Sequence, residues 1–200
     1  MDDDRRDVGV GGERATFLKR FLSAPRQIGS VTPSSRSLAR AMLGSVDWTE
    51  ARAVAELGAG TGVFTRHIAE LARPDAKILV FEIDPALRAM IERDLPARAG
   101  MRVCGDAREL LSIMREEGIE RLDHVLSSLP FTVLPKGMGA AILDAVQDAL
   151  APDGRFVAYQ YSQIMRGELE RRFTDVTRKF VLFNVPPANV YTCRGDRREA

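Results

Sequence analysis

Apolar positions recur along the chain at two spacings that alternate. From residue 53 onward, short β-prone runs lie at 53–57, 101–104, 122–126, 155–161, 179–183 and 189–193, with another opening at residue 77. Between most of them lie stretches in which apolar residues return every three or four positions: 64–72, 85–95, 108–117, 137–150 and 166–173. The first spacing predicts strands and the second helices. Such alternation predicts an α/β domain, a doubly wound and mostly parallel seven-stranded sheet with right-handed crossovers. No helical stretch separates the last two runs, so they are expected to pair antiparallel at one edge. Upstream, residues 13–24 gather Phe17, Leu18, Phe21 and Leu22 on one side of a helix, with Lys19 and Arg20 on the other. A turn-rich linker at 27–35 leads to a helix capped by Ser34 or Ser35 and running to Leu43. That helix precedes the first strand, where it is expected to cover a pocket at the sheet's edge. Residues 1–12 and 194–200 are polar or glycine-rich and read as flexible ends. The chain thus divides into a helical segment, 13–52, and the α/β domain, 53–193.

Composition narrows the class. With 200 residues, 45% hydrophobic, 28% charged and a net charge of +1, the chain fits one domain with a real core. It does not read as a polybasic nucleic-acid binder. Cys104 and Cys193 each fall in an apolar run, which predicts buried thiols in a reducing cytoplasm. No apolar run approaches the ~18 residues of a membrane span, and the acidic start is unlike a signal peptide. No Cys/His cluster has metal-ligand spacing, so no metal is expected. His67 and His124 read as structural.

The chemistry centres on Glu56-Leu57-Gly58-Ala59-Gly60-Thr61-Gly62, a strand end, a glycine turn and a helix start. Such a turn brings bare backbone against a nucleotide-like ligand. Its spacing is Gly-x-Gly-x-Gly, not the dinucleotide Gly-x-Gly-x-x-Gly. About 20 residues on, Glu82 and Ile83 close the second strand, the offset at which an acid meets ribose hydroxyls. Asp84 and Pro85 predict the cap and first position of the next helix. The third strand leads into Gly105-Asp106-Ala107.

This set resembles class I methyltransferases that use S-adenosylmethionine (SAM) and release S-adenosylhomocysteine. The resemblance implies that Glu56 helps hold the ligand's amino group. It implies that the turn from Gly58 through Ala59, Gly60 and Thr61 to Gly62 passes the methionine and ribose. Glu82 and Ile83 would flank the ribose, and Asp106 and Ala107 the adenine, with Ser127 closing the cofactor side.

The loop after the fourth strand, Ser128-Leu129-Pro130-Phe131, lies where amino-group methyltransferases receive the target N–H groups. Adenine-N6 enzymes usually carry Asn or Asp followed by Pro-Pro and an aromatic, so the serine counts against adenine. Together with Phe17 to Phe21, residues 29–34, Phe156 to Tyr161 and Asn184-Val185-Pro186-Pro187-Ala188, this loop resembles the bacterial soluble-type phospholipid N-methyltransferases. That resemblance implies stepwise methylation of phosphatidylethanolamine towards phosphatidylcholine. It implies a phospholipid substrate, contact with anionic lipid at the inner face of the cell membrane through Phe17, Leu18, Lys19, Arg20 and Phe21, and no nucleic-acid partner. Residues 13–26 hold four bases and one acid, a local charge of +3 that supports reversible binding only. Ser128, Tyr159 and Tyr161 are the candidate catalytic residues, and Leu129, Pro130 and Phe131 the candidate substrate contacts. The two tyrosines alternate along strand five and share a face, where they would receive a methylated cation beside Phe131. Two other readings compete. One is a relative of the rRNA adenine-N6 dimethyltransferases, which share the glycine and Glu-Ile-Asp features but usually carry a further helical domain. The other is a SAM-binding module without catalysis.

Overall fold

The computed structural model describes residues 33–95, 98–135, 137–196 and 198. The amphipathic segment at 13–24, with Phe17, Leu18, Lys19, Arg20 and Phe21, lies outside the described residues.

Seven strands form one sheet: β1 (Ala53–Leu57), β2 (Lys77–Phe81), β3 (Met101–Cys104), β4 (Leu122–Ser127), β5 (Leu150–Gln160), β6 (Phe173–Val181) and β7 (Ala188–Asp196). Their order is β3-β2-β1-β4-β5-β7-β6. Strands β1 to β5 pair in parallel, and β7 runs antiparallel to both β5 and β6. The last two strands are therefore the antiparallel pair predicted from their lack of a crossover helix, and β6 is the outermost.

Side chains alternate between the two faces, and each face buries its own apolar layer. On one face α1 (Pro33–Leu43), α2 (Val63–Leu71) and α3 (Pro85–Asp94) bring Leu38, Met42, Ile68 and Ile91 against Val54, Ile78, Val80, Val157 and Val190. On the other, α4 (Leu110–Glu116), α5 (Met138–Ala149) and α6 (Arg166–Arg172) set Leu110, Leu143, Val146 and Leu169 on Leu57, Phe81, Val125, Phe156 and Tyr191. Cys104 and Cys193 are buried free thiols. Among the described residues no helix is long and apolar enough to cross a membrane.

Local chemistry sets the element ends. Asp84 caps α3, accepting from the backbone N–H groups of Ala86 (2.8 Å) and Leu87 (3.3 Å), with Pro85 at the first helical position. Asp106 caps a 3₁₀ turn, Ala107–Glu109, ahead of α4, so the predicted third helix is two pieces. Helix α1 lies against β5, β6 and β7. Its Leu38, Met42 and Leu43 are buried in the apolar layer on that face of the sheet. Two strands differ from the sequence pattern. Residues 152–154, read as a turn before β5, are a bulge inside it: β4 advances from Leu122 to His124 while β5 advances from Leu150 to Arg155. Strand β6 begins at Phe173, six residues before the predicted 179. Residues 177–180 within it are exposed, because an outermost strand needs little apolar alternation.

Candidate active site

In a doubly wound sheet, ligands bind beyond the carboxyl ends of the parallel strands, where the strand order reverses. Here the reversal falls between β1 and β4. The ends of β1, β2 and β3 form one half of that edge. The ends of β4, β5 and β6 form the other.

Glu56 is in β1, 1% exposed, between apolar neighbours on both strands beside it. One oxygen, Oε2, accepts from Thr65 Oγ in the first turns of α2 (2.6 Å). The other, Oε1, is buried without a partner. Burial pushes the carboxyl up to about 7, with the nearby Glu82 charge adding and the Thr65 hydroxyl opposing. A buried carboxylate with one unpartnered oxygen is a site for a cation or a donor.

The glycine turn follows directly. The N–H groups of Gly58 (2.8 Å) and Ala59 (3.0 Å) donate to Phe81 O, tying the turn to the end of β2. Gly58 has φ +81°, and a Cβ there would lie 2.9 Å from Leu129 Cδ2. The turn thus packs directly on the loop after β4. Gly60, at φ +59°, has nothing within 4 Å of where its Cβ would be. The Gly60 N–H instead donates to Glu82 Oε2 (2.7 Å), and the Asp84 N–H to Glu82 Oε1 (2.9 Å). Glu82 is fully buried, and burial raises its carboxyl above the ordinary value. Both of its oxygens already hold the turn in place, and each keeps a second lone pair that could accept from a hydroxyl. Ile83 presents an exposed apolar side chain beside it. Asp106 is paired with Arg108, through its backbone N–H (2.9 Å), its Nε (2.8 Å) and its Nη2. That pairing holds the Asp106 carboxyl below its usual value.

The other half of the edge is hydroxyl-lined. Ser127 is buried and its Oγ accepts from the Leu129 N–H (3.2 Å). Ser128 donates its backbone N–H to Leu57 O (2.9 Å), joining the loop to β1. Its side chain hydrogen-bonds the Tyr159 hydroxyl, Tyr159 bonds Tyr161, and Tyr161 bonds Asn184. The two tyrosine rings meet edge to face at 5.7 Å, and Phe64 of α2 lies 6.2 Å from Tyr159. Burial and the contact with Tyr161 push the Tyr159 phenol well above its ordinary value, so it stays a neutral hydroxyl.

Phe131 is elsewhere. It packs edge-on to Phe156 at 6.3 Å, and Phe156 points to the face opposite Tyr159 because the two are three residues apart on one strand. The aromatic partner of the tyrosines is therefore Phe64, not Phe131. Leu129 covers Gly58 and Pro130 is buried. The Leu129 carbonyl already accepts from Gln160 Nε2 (2.8 Å) and from the Phe131 N–H (3.0 Å). Sequence reading gave no individual site role to Thr65, Phe64, Gln160 or Asn184, although the last two lie in segments that carry the family resemblance. Thr65 sits three residues past Gly62 on the sheet-facing side of α2, where only the packing of that helix over β1 brings it to Glu56. His124 lies at the far end of β4, level with Val54, and His67 lies beside Glu70 on α2. Among the described residues no group of His, Cys, Asp and Glu could hold a metal.

These residues fit SAM. Open space at Gly60 admits a ligand against bare backbone, and the Glu56 oxygen without a partner suits an ammonium. The sheet and this site define a class I, SAM-dependent methyltransferase. The fold is shared with 1,6-didemethyltoxoflavin N1-methyltransferase of Burkholderia thailandensis, solved with S-adenosylhomocysteine: TM-score 0.66, 17% identity, 96% of this chain and 93% of that one. It is shared likewise with DhpI in its S-adenosylhomocysteine complex: TM-score 0.64, 16% identity, 95% of this chain and 100% of that one. No family model matches the chain. In sequence it is 38% identical over 181 residues to the ornithine lipid N-methyltransferase of Singulisphaera acidiphila, across 90% of this chain and 94% of that protein. The chain belongs to the family of that enzyme and is a SAM-dependent N-methyltransferase.

Proposed function

We propose that the protein methylates the amine of a lipid headgroup at a membrane surface, at the inner face of the cell membrane. Phosphatidylethanolamine and its partly methylated forms, leading to phosphatidylcholine, are one substrate class; an ornithine lipid is the other. The observation that carries this reading is the relation to a lipid N-methyltransferase over 90% of the chain, which spans both halves of the site. The substrate half supports it. Ser128 offers a hydroxyl where an adenine enzyme has Asn or Asp, and the rings of Phe64, Tyr159 and Tyr161 lie together as faces that suit a methylated ammonium.

Bound SAM supplies a methyl group already activated by its sulfonium, so positioning does most of the catalysis. The chain's part is to deliver a neutral amine in line. An aliphatic ammonium titrates near pH 10 in water (a lysine-like value, about 10.4), and desolvation lowers this. The Ser128–Tyr159–Tyr161 hydroxyls orient the remaining N–H groups. Tyr159 cannot act as a phenolate base, so the released proton passes by hydroxyl and water towards exposed Tyr161.

The test is methyl transfer from labelled SAM to anionic vesicles carrying either phosphatidylethanolamine or an ornithine lipid. Label in one lipid assigns the headgroup. No label in either rejects the reading.

A further inference from the structure

Three loops leave the carboxyl ends of β4, β5 and β6 on the substrate half of the edge: residues 127–135, 161–165 and 182–187. None contains a charged side chain, in a chain that is 28% charged. The outermost loop turns its apolar residues to solvent. Phe183 is 79% exposed and Val185 84%, with Leu182 at 61%, and Ile164 in the neighbouring loop is 79% exposed. Asn184 between them points the other way. It is buried, donates through Nδ2 to Pro186 O (2.6 Å), and hydrogen-bonds Tyr161. The loop is thus anchored to the site by its middle residue while its flanking side chains project outward. Exposed large apolar groups on a well-formed loop mark an interaction surface.

We propose that the loop between β6 and β7 inserts Phe183 and Val185 into an anionic lipid bilayer, seating the mouth of the active site on the surface that holds its substrate. Charge argues for lipid. Lys179 on β6 lies shortly before the outermost loop, while Arg166, which follows the neighbouring loop, pairs with Glu170 at 2.6 Å. Lys179 has no ion-pair partner among the described residues. An unpaired base beside an uncharged apolar tip suits the phosphates of an anionic lipid surface. Two copies of this face would instead set like charges together. Continuity with Tyr161 and Ser128 places the tip where a lipid amine must enter. The inference rests on the lipid reading above.

The experiment uses the full chain and vesicles of phosphatidylglycerol and phosphatidylethanolamine brominated on the acyl chains. Trp48 is the chain's only tryptophan, so a Phe183→Trp variant reports the loop against the background of the unmodified protein. Its added emission is expected to shift to the blue and to be quenched by the brominated lipid. A Phe183→Asp/Val185→Asp variant is expected to bind vesicles at least about tenfold more weakly, from the lost apolar burial. It should still methylate a short-chain aminolipid below its critical micelle concentration within about twofold of the unmodified rate, tenfold being 1.4 kcal/mol. A Phe183→Ser/Val185→Ser pair repeats the measurement with a milder change. Vesicle binding unchanged in both pairs, an introduced tryptophan that stays unquenched, or a blue shift that grows with protein concentration without lipid overturns the proposal. So does equal loss of short-chain methylation in both pairs. Failure of the lipid reading looks different: the unmodified protein would then methylate neither vesicles nor the short-chain lipid, whatever the introduced tryptophan reports.

Discussion

Glu56 carries an energetic cost when ionised in the ligand-free protein. Its carboxyl is raised from 4.5 to about 7 chiefly by burial. Between those values the folded chain holds a proton that the unfolded chain has released, so ligand-free stability falls as pH rises through this window and levels off above about 7. At 1.36 kcal/mol per unit the full effect is about 3 kcal/mol. Glu56→Gln is therefore expected to raise the melting temperature at pH 8, with the difference closing by pH 5. A variant that melts lower at pH 8 would show that the carboxylate has a partner. Thr65→Val should push the carboxyl further up, extending the window to higher pH. The glycines and Glu56 were legible in the sequence because backbone approach and a strand-end acid leave a fixed spacing. Thr65 was not, since its role depends on how α2 lies over β1.

At the level of elements, the site is held where the β1 turn meets the β4 loop. Gly58→Ala combines a left-handed backbone with a contact at 2.9 Å to Leu129, and is expected to cost roughly 1–3 kcal/mol in denaturant titration. Adding Leu129→Ala should recover the steric part but not the backbone part. Along β5, Tyr159→Phe breaks the hydroxyl chain while keeping the ring. Turnover should drop about ten- to a hundredfold with S-adenosylhomocysteine affinity unchanged. Equal affinity and equal turnover would remove Tyr159 from the site. Strand and helix order were readable from apolar spacing. The early start of β6 was not, because Thr177, Arg178, Lys179 and Phe180 are all exposed on an outermost strand. The partner of Tyr159 was unreadable for a related reason. Residues 156 and 159 both look like core aromatics, and only register assigns Phe131 to one face and Phe64 to the other.

Over the whole molecule, the reversal in strand order separates two tasks along one edge. Strands β1, β2 and β3 end in the carboxylates and bare backbone that suit a charged cofactor. Strands β4, β5 and β6 end in uncharged loops that suit a lipid. The described residues thus set a polar, carboxylate-bearing half beside an uncharged, apolar half along one edge of the sheet. Methyl transfer requires the first half to hold the methyl donor, the role proposed for Glu56. Calorimetry of S-adenosylhomocysteine binding tests that most directly. Affinity is expected to fall about tenfold from pH 7.5 to pH 6 as Glu56 takes up its proton, and to be weak and nearly independent of pH over that range in Glu56→Gln. Equal affinity for the two proteins at pH 7.5, or no dependence on pH in the unmodified chain, would contradict it.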